Sequence, residues 1–123
     1  MLDIQLNNLT STATLIPHGA LTEEDLKMAT DTIDSFIAQY GKLRGIIIYS
    51  QDFPGWDSFG ALIEHLKFIK DHHELVTHIA LVTDSTFGDF AELIASHFIS
   101  AQILSFTYDD LMHAEDWIAL DHV

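Results

Sequence analysis

His65 and His72 stand seven residues apart with Asp71, His73 and Glu74 beside them, the first place in this chain to look for a metal ion. On a helix that spacing puts both rings on one face. Zinc sites, however, are usually built from closer ligand pairs held by a defined second shell. Histidines at a helix carboxyl end are already well placed by the helix dipole, so no metal is expected here. Ser50, Ser58 and Ser85, each near a predicted strand end, are the candidate nucleophiles. None sits in a Gly-x-Ser-x-Gly elbow, and the chain has no glycine-rich phosphate loop. Asp84-Ser85-Thr86 reads as a helix cap, and the acidic pairs Asp109-Asp110 and Glu115-Asp116 as solvated helix surface. With no cysteine there is no thiol nucleophile, thiolate site or disulfide. A non-enzymatic protein without a cofactor is the expectation.

The aromatic residues carry a different message. Phe59, Phe87, Phe90 and Phe98 fall on inward stripes of predicted helices, as ordinary core residues do. Phe53 and Trp56 instead flank Pro54-Gly55 in a predicted loop. Phe68 points away from the apolar stripe of its own helix, among Ala61, Glu64 and His72. Single exposed aromatics are normal, but three in one loop-helix unit form a patch, and patches mark pockets, membranes or interfaces.

Charge limits what such a patch can meet. Nineteen acids oppose five bases, a net charge of −14, which repels phosphate backbones and argues against nucleic-acid binding. All five bases (Lys27, Lys42, Arg44, Lys67, Lys70) lie in the first seventy residues, and residues 71–123 hold ten acids and no Lys or Arg. A basic protein partner would complement that half. Burying one large apolar side chain gains about 1.5–3 kcal/mol. Each acid held near an anionic membrane costs on the order of 1 kcal/mol, so strong anchoring is excluded. Between Trp56 and Lys70 the local sum is neutral, with Asp57 and Glu64 offset by Lys67 and Lys70. Shallow contact with zwitterionic lipid through Phe53, Trp56 and Phe68 is physically allowed. No apolar run nears the roughly 20 residues of a spanning helix, and Met1 leads into polar residues, so a cytoplasmic protein is expected.

The elements that would position these groups follow from periodicity. Leu2, Ile4 and Leu6 alternate with polar neighbours, Asn7-Asn8 supplies a turn, and residues 13–16 form a second strand ending at Pro17. Thr22 with Asp25 makes a capping box for a helix over 22–40, with Leu26, Ala29, Ile33, Phe36, Ile37 and Tyr40 inward and a stop at Gly41. Residues 44–50, with three consecutive isoleucines, suit a central strand buried on both faces. A helix over 57–71, a strand over 78–83, a helix over 86–99, a strand over 102–106 and a helix over 108–120, with Leu111, Met112 and Trp117 inward, complete the chain. The order β-β-α-β-α-β-α-β-α predicts one α/β domain over residues 1–123, with a mixed, mostly parallel sheet and right-handed crossovers.

This order, with Asp57-Ser58-Phe59-Gly60-Ala61-Leu62 after the central strand, resembles the STAS domain of anti-sigma-factor antagonists, whose motif there is Asp-Ser-Ser/Thr-Gly-Leu. Closer still is the resemblance to the SpoIIAA-like subfamily, small bacterial proteins likened both to STAS domains and to CRAL-TRIO lipid carriers. That resemblance implies membrane association and an apolar ligand rather than sigma-factor control. The phosphoacceptor position of the motif is Phe59 here, which cannot be phosphorylated, and Ser58 matches the preceding serine.

The combined expectation is a binding protein for an apolar or lipid-like molecule, held between the 57–71 and 86–99 helices. Phe59, Leu62, Leu66, Phe87, Phe90 and Ile94 would line the site, with Phe53, Trp56 and Phe68 at its mouth or on a membrane. The rival is a STAS-type protein-interaction module around Ser58, a candidate regulatory residue, without the usual phosphoacceptor. A second copy of the chain is a further candidate to cover Phe68.

Overall fold

A computed structural model describes residues 1–19, 22–41, 43–51, 76–84 and 102–120. The alternating amino-terminal residues build a hairpin of β1 (Leu2–Asn7) and β2 (Thr12–Pro17), antiparallel, with Leu2 opposite Pro17 and Asn7 opposite Thr12. Asn7 shapes the turn: its Oδ1 accepts the backbone N–H of Leu9 at 2.9 Å, a short polar side chain standing in for a backbone acceptor. Ser11 leaves the turn with φ 55°, and its carbonyl accepts the N–H groups of Arg44 at 2.7 Å and Gly45 at 3.2 Å. The hairpin is thereby joined to the start of the central strand.

Helix α1 (Glu23–Tyr40) begins with the expected capping box. Thr22 Oγ1 accepts the Asp25 N–H at 3.1 Å, and Asp25 Oδ2 accepts the Thr22 N–H at 2.9 Å. That backbone hydrogen bond from Thr22 is the main reason the Asp25 carboxyl is held below its ordinary pKa. Gly41 ends the helix with φ 83°, a left-handed conformation that glycine adopts without a Cβ penalty.

Strands β3 (Gly45–Tyr49), β4 (His78–Val82) and β5 (Gln102–Phe106) add in parallel to β2, giving the sheet order β1-β2-β3-β4-β5. A single 3-10 turn, Tyr108–Asp110, then leads into α2 (Leu111–Leu120). The sheet separates two apolar layers. On one face α1 supplies Ala29, Ile33 and Phe36 against Leu15, Ile46, Ile48, Ile79 and Leu81. On the other, Ala114 and Ile118 of α2 cover Ile47, Ala80 and Val82. The isoleucine run is thus shared between layers, with all three side chains at most 1 % exposed. This is the mixed α/β fold, with a mostly parallel sheet, that the sequence pattern predicts.

Two inward assignments need correction. Met112 is 77 % exposed, because it lies across α2 from the stripe of Leu111, Ala114 and Ile118. Tyr40 is 44 % exposed: as the last residue of α1 it overhangs the layer and leans its ring on Phe36, with centroids 4.9 Å apart. The predicted helices 57–71 and 86–99 lie outside the described residues.

Candidate functional site

Parallel register brings the ends of three strands level, with Tyr49 beside Val82 and Val82 beside Phe106. Beyond them the ladder runs on for one residue. Ser50 N–H donates to the Val82 carbonyl at 3.1 Å and Thr83 N–H to the Phe106 carbonyl at 3.0 Å. Thr83 Oγ1 donates to the Gln51 carbonyl at 3.1 Å. Gln51 and Asp84, the last described residues before segments 52–75 and 85–101, therefore stand at one edge of the sheet. In an open α/β sheet, the carboxyl ends of the strands are where ligands bind.

An aromatic brace closes this edge on the α2 side. The 3-10 turn passes over the end of β4, and Tyr108 N–H donates to Asp84 Oδ1 at 3.1 Å. Tyr108 thereby reaches Tyr49, and the two rings stack with centroids 4.6 Å apart and planes 2° from parallel. Polar interaction with the Tyr108 side chain raises the pKa of Tyr49 above its ordinary value, with burial and the nearby Asp109 charge adding to the effect. Because the pKa is raised, the stabilisation is complete below a pH of about 10, the ordinary phenol pKa, and is lost as pH rises through the higher folded value. Tyr108→Phe should bring Tyr49 back toward ordinary behaviour in an alkaline titration of phenolate absorbance. An unchanged curve for the remaining tyrosines would refute that interaction.

Chemically this edge offers stacking surfaces, phenol and aliphatic hydroxyls, and carboxylates, of which Asp84 is already engaged by an N–H. Among the described residues, no three His, Asp or Glu side chains gather in metal-binding geometry. Elsewhere, a shallow groove of about 480 Å³ runs between β1 and α1, lined by Leu6, Asn8, Thr32, Ser35, Phe36, Gln39 and Tyr40. Because β1 runs antiparallel to its neighbour, this groove lies at the far end of the sheet from the Tyr49–Tyr108 brace.

The residues expected from the sequence to form the site fall in the two segments that begin at the braced edge. Phe53, Trp56, Ser58, Phe59, Leu62, Leu66 and Phe68 belong to 52–75, and Phe87, Phe90 and Ile94 to 85–101; all lie outside the described residues. So do Ser85 and the group His65, Asp71, His72, His73 and Glu74. Ser50 is described and buried, with its N–H engaged by Val82. Sequence reasoning missed the Tyr49–Asp84–Tyr108 cluster. Its members are far apart in the chain and meet only through strand order, so no local motif marks them.

A family model for SpoIIAA-like proteins matches residues 13–119, from within β2 to within α2. The chain belongs to the SpoIIAA-like family. Membership in this STAS-like family suggests a regulatory or protein-interaction module, and the family is generally non-enzymatic. The match takes in β3, β4 and β5, the Tyr49–Tyr108 brace and both segments that follow the braced edge. Comparison with curated proteins and with solved structures gives no significant match, so a likeness to CRAL-TRIO carriers draws no support from them. No helix among the described residues is long and apolar enough to cross a membrane.

Proposed function

We propose that this SpoIIAA-like domain is a non-catalytic binding protein for an apolar or lipid-like molecule, working at the carboxyl edge of its parallel strands. The observation that carries this reading is the set Phe53, Trp56 and Phe68 in the locally neutral stretch that follows the β3 end. Three aromatics in one loop-helix unit of so acidic a chain support a patch that meets an apolar molecule. Phe59, Leu62, Leu66, Phe87, Phe90 and Ile94 would line the site, and Phe53, Trp56 and Phe68 would guard its mouth or touch a membrane peripherally from the cytoplasm. Gentle purification, organic extraction and mass spectrometry test this directly. A stoichiometric fatty acid or lipid is the expected result, with its yield cut severalfold in Trp56→Ser and Phe68→Ser. Empty wild-type protein that also ignores liposomes would remove the lipid reading.

Family membership favours a second reading, a protein-interaction module around Ser58. Asp57-Ser58 is retained where the switch of STAS anti-sigma-factor antagonists would sit, while Phe59 cannot accept phosphate. That module would arrive empty of small molecules and retain one defined protein partner, and Ser58→Trp would abolish the retention.

A further inference from the structure

We infer that the outer edge of β5 is a docking site for a basic, extended peptide segment of a partner protein, which would add to the sheet as a sixth strand. The inference does not depend on which reading of the carboxyl edge holds.

β5 pairs only with β4 among the described residues and ends the sheet order. Its direction fixes which backbone groups face outward. Gln102 N–H donates to the Thr77 carbonyl at 2.8 Å, and the Phe106 carbonyl accepts from Thr83 at 3.0 Å, so the even-numbered residues face β4. Backbone groups alternate along a strand, so the N–H and C=O of Ile103 and Ser105 point away from the sheet. Four hydrogen-bonding groups are thereby presented in strand geometry. The strand is also accessible: Gln102, Leu104 and Ser105 are exposed, and Leu104 keeps 45 % of its surface in solvent.

Natural edge strands are normally guarded by charge, proline or a bulge. At the opposite edge β1 carries Asp3, paired with His18 at 2.9 Å. β5 reads Gln-Ile-Leu-Ser-Phe, with no charge and no proline. Leu104 shares a face with Phe106, whose ring centroid lies 6.0 Å from that of Trp117 on α2. An incoming strand would find apolar ground there for every second side chain, the usual division of labour in strand addition.

Charge selects the occupant. This edge belongs to the part of the chain, residues 71–123, with ten acids and no Lys or Arg. Asp84, Asp109, Glu115 and Asp116 are exposed in the elements around it. A second copy paired two-fold along β5 would bring two such halves together, which like-charge repulsion opposes. A strand carrying Lys or Arg satisfies the outward backbone groups, and the net negative charge of this part of the chain attracts it.

The test uses the full chain, ten-residue peptides alternating lysine with valine, leucine or tyrosine, and glutamate-for-lysine counterparts. Binding of at least one lysine peptide is expected, weakening steeply with added salt, with the glutamate peptides inert. New amide protection should centre on Ile103 and Ser105. Ser105→Pro removes one outward N–H and leaves the β4 ladder intact, and edge strands tolerate proline. It should weaken binding at least tenfold; Leu104→Lys, which guards the edge without touching the backbone, should do the same if Ser105→Pro disturbs the fold. Failure of every lysine peptide, binding unaffected by both substitutions, or protection elsewhere would overturn the inference. So would self-association of the wild-type chain that Leu104→Lys abolishes, since a second copy would then own the edge.

Discussion

Ile48→Ala is expected to destabilise the domain by about 2–5 kcal/mol, and Ile47→Ala by a comparable amount through the opposite layer. Both side chains are fully buried, so each truncation leaves a cavity as well as losing the burial of the removed carbons. The two cavities are not equivalent. Ile48 lies in the layer with Leu15, Ile33, Phe36, Ile79 and Leu81, which α1 covers along 18 residues. Among the described residues, Ile47 lies with Ala80, Val82, Ala114 and Ile118 under the 10-residue α2, a smaller layer with fewer large neighbours to move inward. Local opening should therefore differ. Ile47→Ala should speed amide exchange in α2 selectively, and Ile48→Ala should expose α1 and the sheet together. Denaturant unfolding gives the magnitudes, and site-resolved hydrogen exchange gives the pattern. A loss under 1 kcal/mol for both would mean that β3 is not the shared centre of the two layers.

How much of this was legible in the sequence depends on how local the cause is. The Thr22–Asp25 box and the Gly41 stop are written within one helical turn of their effect, and both are found where periodicity places them. The isoleucine run of β3 identifies a strand buried on two faces without help from any neighbour. Met112 misleads because an apolar residue in a short terminal helix looks inward until the direction of the covered face is known. The Tyr49–Tyr108 stack lay beyond reach for a related reason: Tyr108 approaches Tyr49 only because β5 sits two places from β3 and Asp84 holds the turn over β4. The aromatic candidates Phe53, Trp56 and Phe68 were read from loop context and helical phase. Their segment begins at the braced edge, and its residues lie outside those described.

Gly45→Ala should cost about 1–3 kcal/mol, although alanine suits a strand better than glycine does. The cause is Ile118. A Cβ on Gly45 would lie 2.6 Å from its Cγ2 and 2.9 Å from its Cδ1. Cγ2 sits on the branched carbon of a stiff side chain, so a small rotation cannot clear it, and α2 itself must lift. Lifting is opposed by Arg44, whose Nη2 donates to the Ile118 carbonyl at 3.0 Å and holds the helix's carboxyl end against the sheet. Ile118→Ala alone should cost about 2–5 kcal/mol, since it empties a fully buried site. Combined, the two changes should cost less than their sum by about 0.5–3 kcal/mol, because the new methyl enters the space the isoleucine leaves. Simple additivity in denaturant unfolding would show that the close approach of β3 and α2 is not what requires glycine. The same cycle locates the strain along the helix. Displacement at Ile118 acts on one end of α2, while Asp84 holds Tyr108 beyond the other, so the alkaline titration of Tyr49 should stay as in the wild type. A Tyr49 titration that moves with Gly45→Ala would instead mean that α2 transmits changes from the amino ends of the strands to the candidate binding edge.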